Sequence, residues 1–175
     1  ATFLEAAAAL GERSVPWILR LEPRPEDLTD CAALVDRAHG AGAAVVALAM
    51  AEITAATSLA EVADAARAAL VRGEALGVGV VVYGLPFCLL PAHVDDLSPS
   101  PPVIPVDERG RPTWGARLAQ PPKCRACELS NRCPGIAEAA LEREGEGVLT
   151  PVAGRPTTDY LPTTFEQWLM EASGP

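Results

Sequence analysis

Three cysteines within ten residues are the part of this chain best equipped for chemistry: Cys124-Arg-Ala-Cys127-Glu-Leu-Ser-Asn-Arg-Cys133-Pro134-Gly135, a C-x2-C-x5-C spacing. A two-residue gap lets two sulfurs turn inward on one cation or cluster, and a five-residue gap brings the third round. Three thiolates leave a four-coordinate centre one ligand short. The fourth is expected from Cys88, which ends the apolar run Val78-Gly-Val-Val-Val-Tyr-Gly-Leu-Pro-Phe-Cys88. His93, in the loop beyond, is the rival. Zinc ribbons bring two C-x2-C pairs, whereas here a single pair is flanked by lone cysteines. A proline directly after a ligand cysteine, as in Cys133-Pro134, recurs at bacterial clusters. The spacing therefore favours an iron–sulfur cluster, with zinc as the alternative. Cys31 falls on the inner face of a predicted helix, where a free thiol acts as a small hydrophobe.

The rest of the composition narrows the setting for such a centre. Apolar residues make up 49% of the 175, aromatics only 5%, and the net charge is −9. A chain of that size buries a real core. It carries no basic face for nucleic acid, Arg109, Arg111 and Arg117 being its nearest approach to a cluster of cations. Five cysteines, three of them crowded together, do not suit a secreted disulfide framework and point to thiols kept reduced in a cytoplasmic setting. Neither a basic leader nor an apolar run of membrane-spanning length is present in these residues.

The elements that must hold the cysteines alternate. Thr2–Glu12 reads as a helix with Phe3, Leu4, Ala7, Ala8 and Leu10 along one stripe. Val15–Glu22 alternates as a strand, with Val15, Trp17, Leu19 and Leu21 on one face and Ile18, Arg20 and Glu22 on the other. Pro25-Glu-Asp opens a helix whose inner face carries Leu28, Cys31, Leu34 and Val35 and which Gly40 and Gly42 close. Ala43–Met50 is a strand apolar on both sides. Ser58-Leu-Ala-Glu61 is a capping box for a helix running to Leu76-Gly77, with Leu59, Val62, Ala66, Leu70 and Val71 inward. Val78–Phe87 is a third strand. This rhythm predicts parallel strands and right-handed crossovers.

Three βα units are too few for a closed barrel, and the outer edge of the first strand should need a cover. The rhythm stops at Pro91, and three regions follow from the pattern. Residues 1–92 are half of a partial parallel βα barrel, 93–145 a cysteine-rich extension, and 146–175 an irregular tail. Within the extension, Val103–Val106 and Arg111–Trp114 flank Asp107-Glu-Arg-Gly110 as a β-hairpin, and Ile136–Arg143 forms a short helix stopped at Gly145. The tail ends in an amphipathic helix with Phe165, Trp168 and Leu169, capped by Thr163 or Thr164.

A strand ending in Gly-Leu-Pro-Phe-Cys88, a proline-rich loop, Pro-Pro-Lys-Cys124-x2-Cys127-x5-Cys133-Pro-Gly and a short helix together resemble the carboxy-terminal half of radical S-adenosylmethionine enzymes. The likeness is to members with an auxiliary cluster domain of the SPASM or Twitch kind, and it spans roughly Ala1 to Gly145. It implies a partial (β/α)6 barrel and one auxiliary [4Fe-4S] cluster on Cys88, Cys124, Cys127 and Cys133, for electron relay or substrate placement. It implies no second auxiliary cluster, since Ala137 stands where the SPASM pattern has a further cysteine. The defining C-x3-C-x2-C motif, whose cluster cleaves S-adenosylmethionine, is absent from these residues. The catalytic cluster is therefore expected from a partner polypeptide that supplies the first half of the barrel, or from a missing amino-terminal segment. In a parallel barrel the chemistry sits at the carboxy ends of the strands, where Arg20 and Glu22 would face the lumen and the arginine would suit the carboxylate of S-adenosylmethionine. Substrates implied by the resemblance are peptides or small molecules. The alternative from another class is a non-catalytic zinc-stabilised or peptide-recognition module.

Overall fold

The computed structural model describes residues 18–98 and 117–153. The expected helix Thr2–Glu12, the start of the first strand, the hairpin between Val103 and Trp114 and the helix around Trp168 lie outside the described residues.

Short β-branched and leucine-rich runs, bounded by glycine or proline, form four parallel strands: β1 (Ile18–Leu21), β2 (Val45–Ala49), β3 (Gly79–Tyr83) and β4 (Leu97–Ser98). They lie side by side in chain order. The register sets Leu19 beside Val46 and Val46 beside Val80, then Leu21 beside Leu48 and Leu48 beside Val82. Those residues form one face of the sheet, because side chains alternate along each strand. Arg20, Ala47 and Val81 form a row of the opposite face.

The helices pack on the first of these faces. A 3-10 turn at Pro25–Asp30 leads into α1 (Cys31–Gly40), its proline in the first turn followed by Glu26 and Asp27. Helix α3 (Leu59–Leu76) starts where the Ser58 hydroxyl accepts the Glu61 N–H at 3.2 Å, and it stops at Gly77, whose φ of +68° is left-handed. Cys31, Val35 and Ala38 of α1 join Val62, Ala66, Ala69 and Leu70 of α3, with Leu19, Val46, Leu48, Val80 and Val82 beneath them, in one core. Contact between α3 and the sheet is close: a Cβ at Gly73 would stand 2.3 Å from Val80 Cγ2 and 2.8 Å from the Val78 carbonyl oxygen. Sequential strand order with right-handed crossovers puts successive helices on the same side, and that is the arrangement here. The described residues thus form a mixed α/β fold on a parallel sheet.

The expected elements and the observed ones part company in several places. Strand β3 ends at Tyr83, because Gly84 adopts φ +77° and Pro86 follows, so Cys88 lies on a 3-10 turn (Phe87–Leu89) beyond the strand. Residues Ala51–Ala56 form a short helix, α2, that no periodicity announced. Val71 points outward at 53% exposure, since its neighbours Ala69, Leu70 and Gly73 occupy the buried stripe of α3. In the extension, Leu118–Ala119 (β5) pairs antiparallel with Ile136–Ala137 (β6), so the following helix, α4, begins only at Glu138 and runs to Glu144. No helix among the described residues is long and apolar enough to cross a membrane.

Candidate metal centre

The four cysteines beyond α3 reach one place from three turns. Cys88 sits on the Phe87–Leu89 turn. Cys124 lies within a 3-10 turn at Pro122–Ala126, and Cys127 ends that turn with its N–H donating to the Cys124 carbonyl at 3.0 Å. Cys133 closes a further turn, its N–H donating to the Leu129 carbonyl at 2.8 Å. The loop is laced at its base by Gln120, whose Nε2 donates to the carbonyls of Ser130 at 2.7 Å and Cys133 at 2.8 Å. Gly135 lets the β5–β6 ribbon shut: at φ +93°, a Cβ there would lie 2.4 Å from the Ala119 carbonyl oxygen.

Two apolar clusters meet at this point. Buried Leu129 plugs the loop into the main core, and Cys127 and Cys133 pack against that core. Cys88 and Cys124 pack against a smaller one made by Leu59, Ile136, Ala137, Ala140 and Leu149. At the seam is a pocket, partly open to solvent, lined by all four thiols. Pro86, Ile136, Leu149 and Pro151 supply apolar wall, and Gln120 and Lys123 a polar edge.

Main-chain donors are aimed at the sulfurs. The Phe87 and Gly135 N–H groups donate to Cys133 Sγ at 3.5 and 3.4 Å, and the Val152 N–H to Cys127 Sγ at 3.4 Å. The backbone of Thr150 likewise hydrogen-bonds Cys88. Burial pushes the Cys88 thiol up to about 11, the Thr150 N–H opposing it and Cys133, Cys127 and Cys124 adding to it. Burial also raises Cys133, against the pull of the Phe87 and Gly135 amides. Cys124 is raised by burial, then by Cys133, Cys127 and Glu146. Four mutually repelling thiols can all ionise only around a multivalent positive charge.

Two kinds of centre take such a donor set. Among the described residues no group of three or more His, Cys, Asp or Glu side chains is already disposed to hold a metal ion. One zinc at about 2.3 Å from each sulfur would draw four thiolates to within about 4 Å of one another. A four-iron cube holds its outer thiolates farther apart, roughly 6 Å. All four thiols line one pocket, and four cysteines are a ligand set that either centre takes.

A clamp at the end of α4 fixes the extension to the α/β layer. Arg143 donates to the carbonyls of Ala55 at 2.7 Å, Thr54 at 3.2 Å and Thr57 at 2.6 Å, satisfying the open end of α2. Its neighbour Glu144, bonded to Arg143 at 2.7 Å, accepts the Leu59 N–H at 3.1 Å at the start of α3. Neither residue carried a sequence signal, since their partners are backbone atoms more than 80 residues away.

The remaining candidates fall elsewhere. Arg20 and Glu22 are ion-paired with each other at the end of β1, and the guanidinium lies 5.8 Å from the Tyr83 ring centroid. Neither lines the thiol pocket. Their row lies on the face of the sheet opposite α1 and α3, where Ala47 and Val81 are also buried. His93 does not line the pocket either; its Nδ1 is 3.5 Å from Asp96 Oδ2. Cys31 is 1% exposed in the main core. Comparison with protein-family models, with curated proteins and with solved structures returned no match to this chain.

Proposed function

We propose that this chain binds one [4Fe-4S] cluster through Cys88, Cys124, Cys127 and Cys133 and forms the rear half of a radical S-adenosylmethionine enzyme. The observation that carries the reading is the lining of one pocket by four thiols from three separate turns, with amide N–H groups turned toward three of the sulfurs. When bound, such a cluster supplies one-electron transfer, and ligation by four cysteines leaves no iron open, which favours relay over direct substrate binding. The protein's own part is to hold the sulfurs apart around the pocket, to shield them with Pro86, Ile136 and Leu149, and to stabilise their charge through the amides.

The parallel sheet, with helices on one face and strands in chain order, is compatible with an arc of a βα barrel. On this reading the face carrying Arg20 is lumenal. Arg20 would then take the carboxylate of S-adenosylmethionine by giving up Glu22, and a peptide or small molecule would be the substrate. The cluster that cleaves S-adenosylmethionine would come from a partner polypeptide or from preceding sequence, because the described cysteines include no C-x3-C-x2-C. The reduced thiols suit a cytoplasmic protein.

Protein purified without oxygen is expected to be brown, to absorb near about 400 nm and to contain iron and sulfide in equal amounts. Cys127→Ser is expected to abolish uptake, whereas Cys31→Ser and His93→Ala leave it intact. Colourless protein holding a single zinc would replace this reading with the structural, non-catalytic module.

A further inference from the structure

The four thiols are not equally held. Cys133 receives two amide N–H groups, from Phe87 and Gly135, and Cys127 receives one, from Val152. Cys88 receives one from the Thr150 backbone. Among the described residues no amide reaches Cys124. An N–H directed at a thiolate draws off charge and ties the sulfur in place, so the sulfur without one is the freest to depart.

The backbone around the cysteines divides them in the same way. Cys88 follows Phe87, which is fully buried, and Cys127 and Cys133 flank buried Leu129. By contrast, the 3-10 turn bearing Cys124 buries none of its side chains, nor does the Glu146–Val148 turn near it. These two turns are joined by Lys123, whose Nζ donates to the Glu146 carbonyl at 3.3 Å. Moving Cys124 outward gives up its own contact with the smaller apolar cluster but carries no buried side chain of the Pro122–Ala126 turn with it, whereas Cys88 adjoins buried Phe87, and Cys127 and Cys133 flank buried Leu129.

We propose that Cys124 is the displaceable ligand of the four, so that the iron it holds is the one the centre can release and take back. The inference rests on the cluster reading above and deepens it, turning a uniformly ligated centre into one with a distinct corner. Release balances as follows: ferricyanide removes one electron from the [4Fe-4S]2+ centre and becomes ferrocyanide, and the resulting 3+ centre loses Fe2+ to leave [3Fe-4S]1+. The freed Cys124 thiolate takes a proton from water.

The test uses the full chain loaded anaerobically with iron and sulfide, treated with one equivalent of ferricyanide, then with iodoacetamide, and mapped by peptide mass spectrometry. Loss of about one iron in four, with alkylation at Cys124 several-fold above Cys88, Cys127 and Cys133, is expected. Label spread evenly, or concentrated on any of the other three, overturns the proposal while leaving the cluster reading intact. As a second measurement, Cys124→Ser is expected to keep most of its iron and sulfide where Cys133→Ser loses both; equal loss overturns it. A chain that takes up no iron and sulfide at all overturns the cluster reading and this inference with it.

Discussion

The α/β layer (residues 18–98) and the cysteine extension (117–153) are stabilised by different physics. In the layer, Val35, Val46, Leu48, Val62 and Val82 are wholly buried, and parallel strands share a continuous ladder of hydrogen bonds. Burial at about 25 cal/mol per Å² of apolar surface is enough to hold such a unit together. The extension buries only Pro121, Leu129, Ile136, Ala137, Ala140 and Leu149 among its apolar side chains. Its strands are two residues long, its helix seven, and much of the rest is 3-10 turn. Pieces that short do not persist by themselves. The difference indicates that the layer folds by its core, while on the proposed reading the extension would depend on what its sulfurs bind.

The largest test of that contrast is removal of the proposed metal centre. Structural metal sites contribute on the order of 10 kcal/mol to the folding of the segment that holds them. Chelation, or Cys133→Ser, is therefore expected to release the amides of residues 120–135 to solvent exchange while those of β2 and β3 stay protected. Hydrogen exchange read by mass spectrometry checks this, and equal loss of protection in both regions would refute a separately folded layer.

Two glycine substitutions sharpen the comparison, one in each region. Gly135→Ala forces a Cβ to 2.4 Å from the Ala119 carbonyl oxygen at φ +93°, where neither atom can retreat. A cost of about 3 kcal/mol is expected, falling on the extension as lowered iron content. Gly73→Ala presses α3 against Val80 and the Val78 carbonyl, an overpacking worth about 2 kcal/mol. Its expected signature is the reverse: a lower melting temperature with unchanged iron per folded chain. The clamp between the regions comes next. Arg143→Ala removes three carbonyl contacts at the end of α2 and the support of Glu144, and about 1–2 kcal/mol is expected to be lost, seen as faster exchange at Thr57 and Leu59.

The same division decides what could be read without coordinates. The layer's strands announced themselves because Val45–Leu48 is an apolar run with glycines before it and Glu52 after, and Val80–Val82 a β-branched run between Gly79 and Gly84, and its long helix because Ser58, Glu61 and Gly77 are local signals with local partners. In the extension only the cysteine spacing was local. The β5–β6 ribbon is too short to show a period, and Arg143 acts on carbonyls that carry no side-chain signature. Placing Cys88 beside the later trio needed the assumption that a strand end and a distant loop converge, and both do line one pocket. Alternation put Arg20 on the correct face of β1, but period alone says nothing about what the face meets, and there Arg20 pairs with Glu22.

The smallest effect separates the two regions by titration. Burial, helped by Asp27 and Asp30, raises the Cys31 thiol from 9.0 to about 11, and burial raises Cys88 to about 11 as well. In each case the fold favours the neutral thiol, so the stabilisation is complete below the unfolded value near 9 and is lost as pH climbs through about 11. Metal-free protein is thus expected to lose thermal stability between these limits, with both regions contributing. Cys31→Val removes the layer's share and flattens the decline. Metal removes the extension's share in a different way, because a ligated Cys88 is already a thiolate and has no proton to lose in that window. The loaded Cys31→Val protein should then show the shallowest dependence of the four combinations, measured as melting temperature against pH. If loading with metal leaves the slope of the Cys31→Val protein unchanged, Cys88 does not carry charge at the centre.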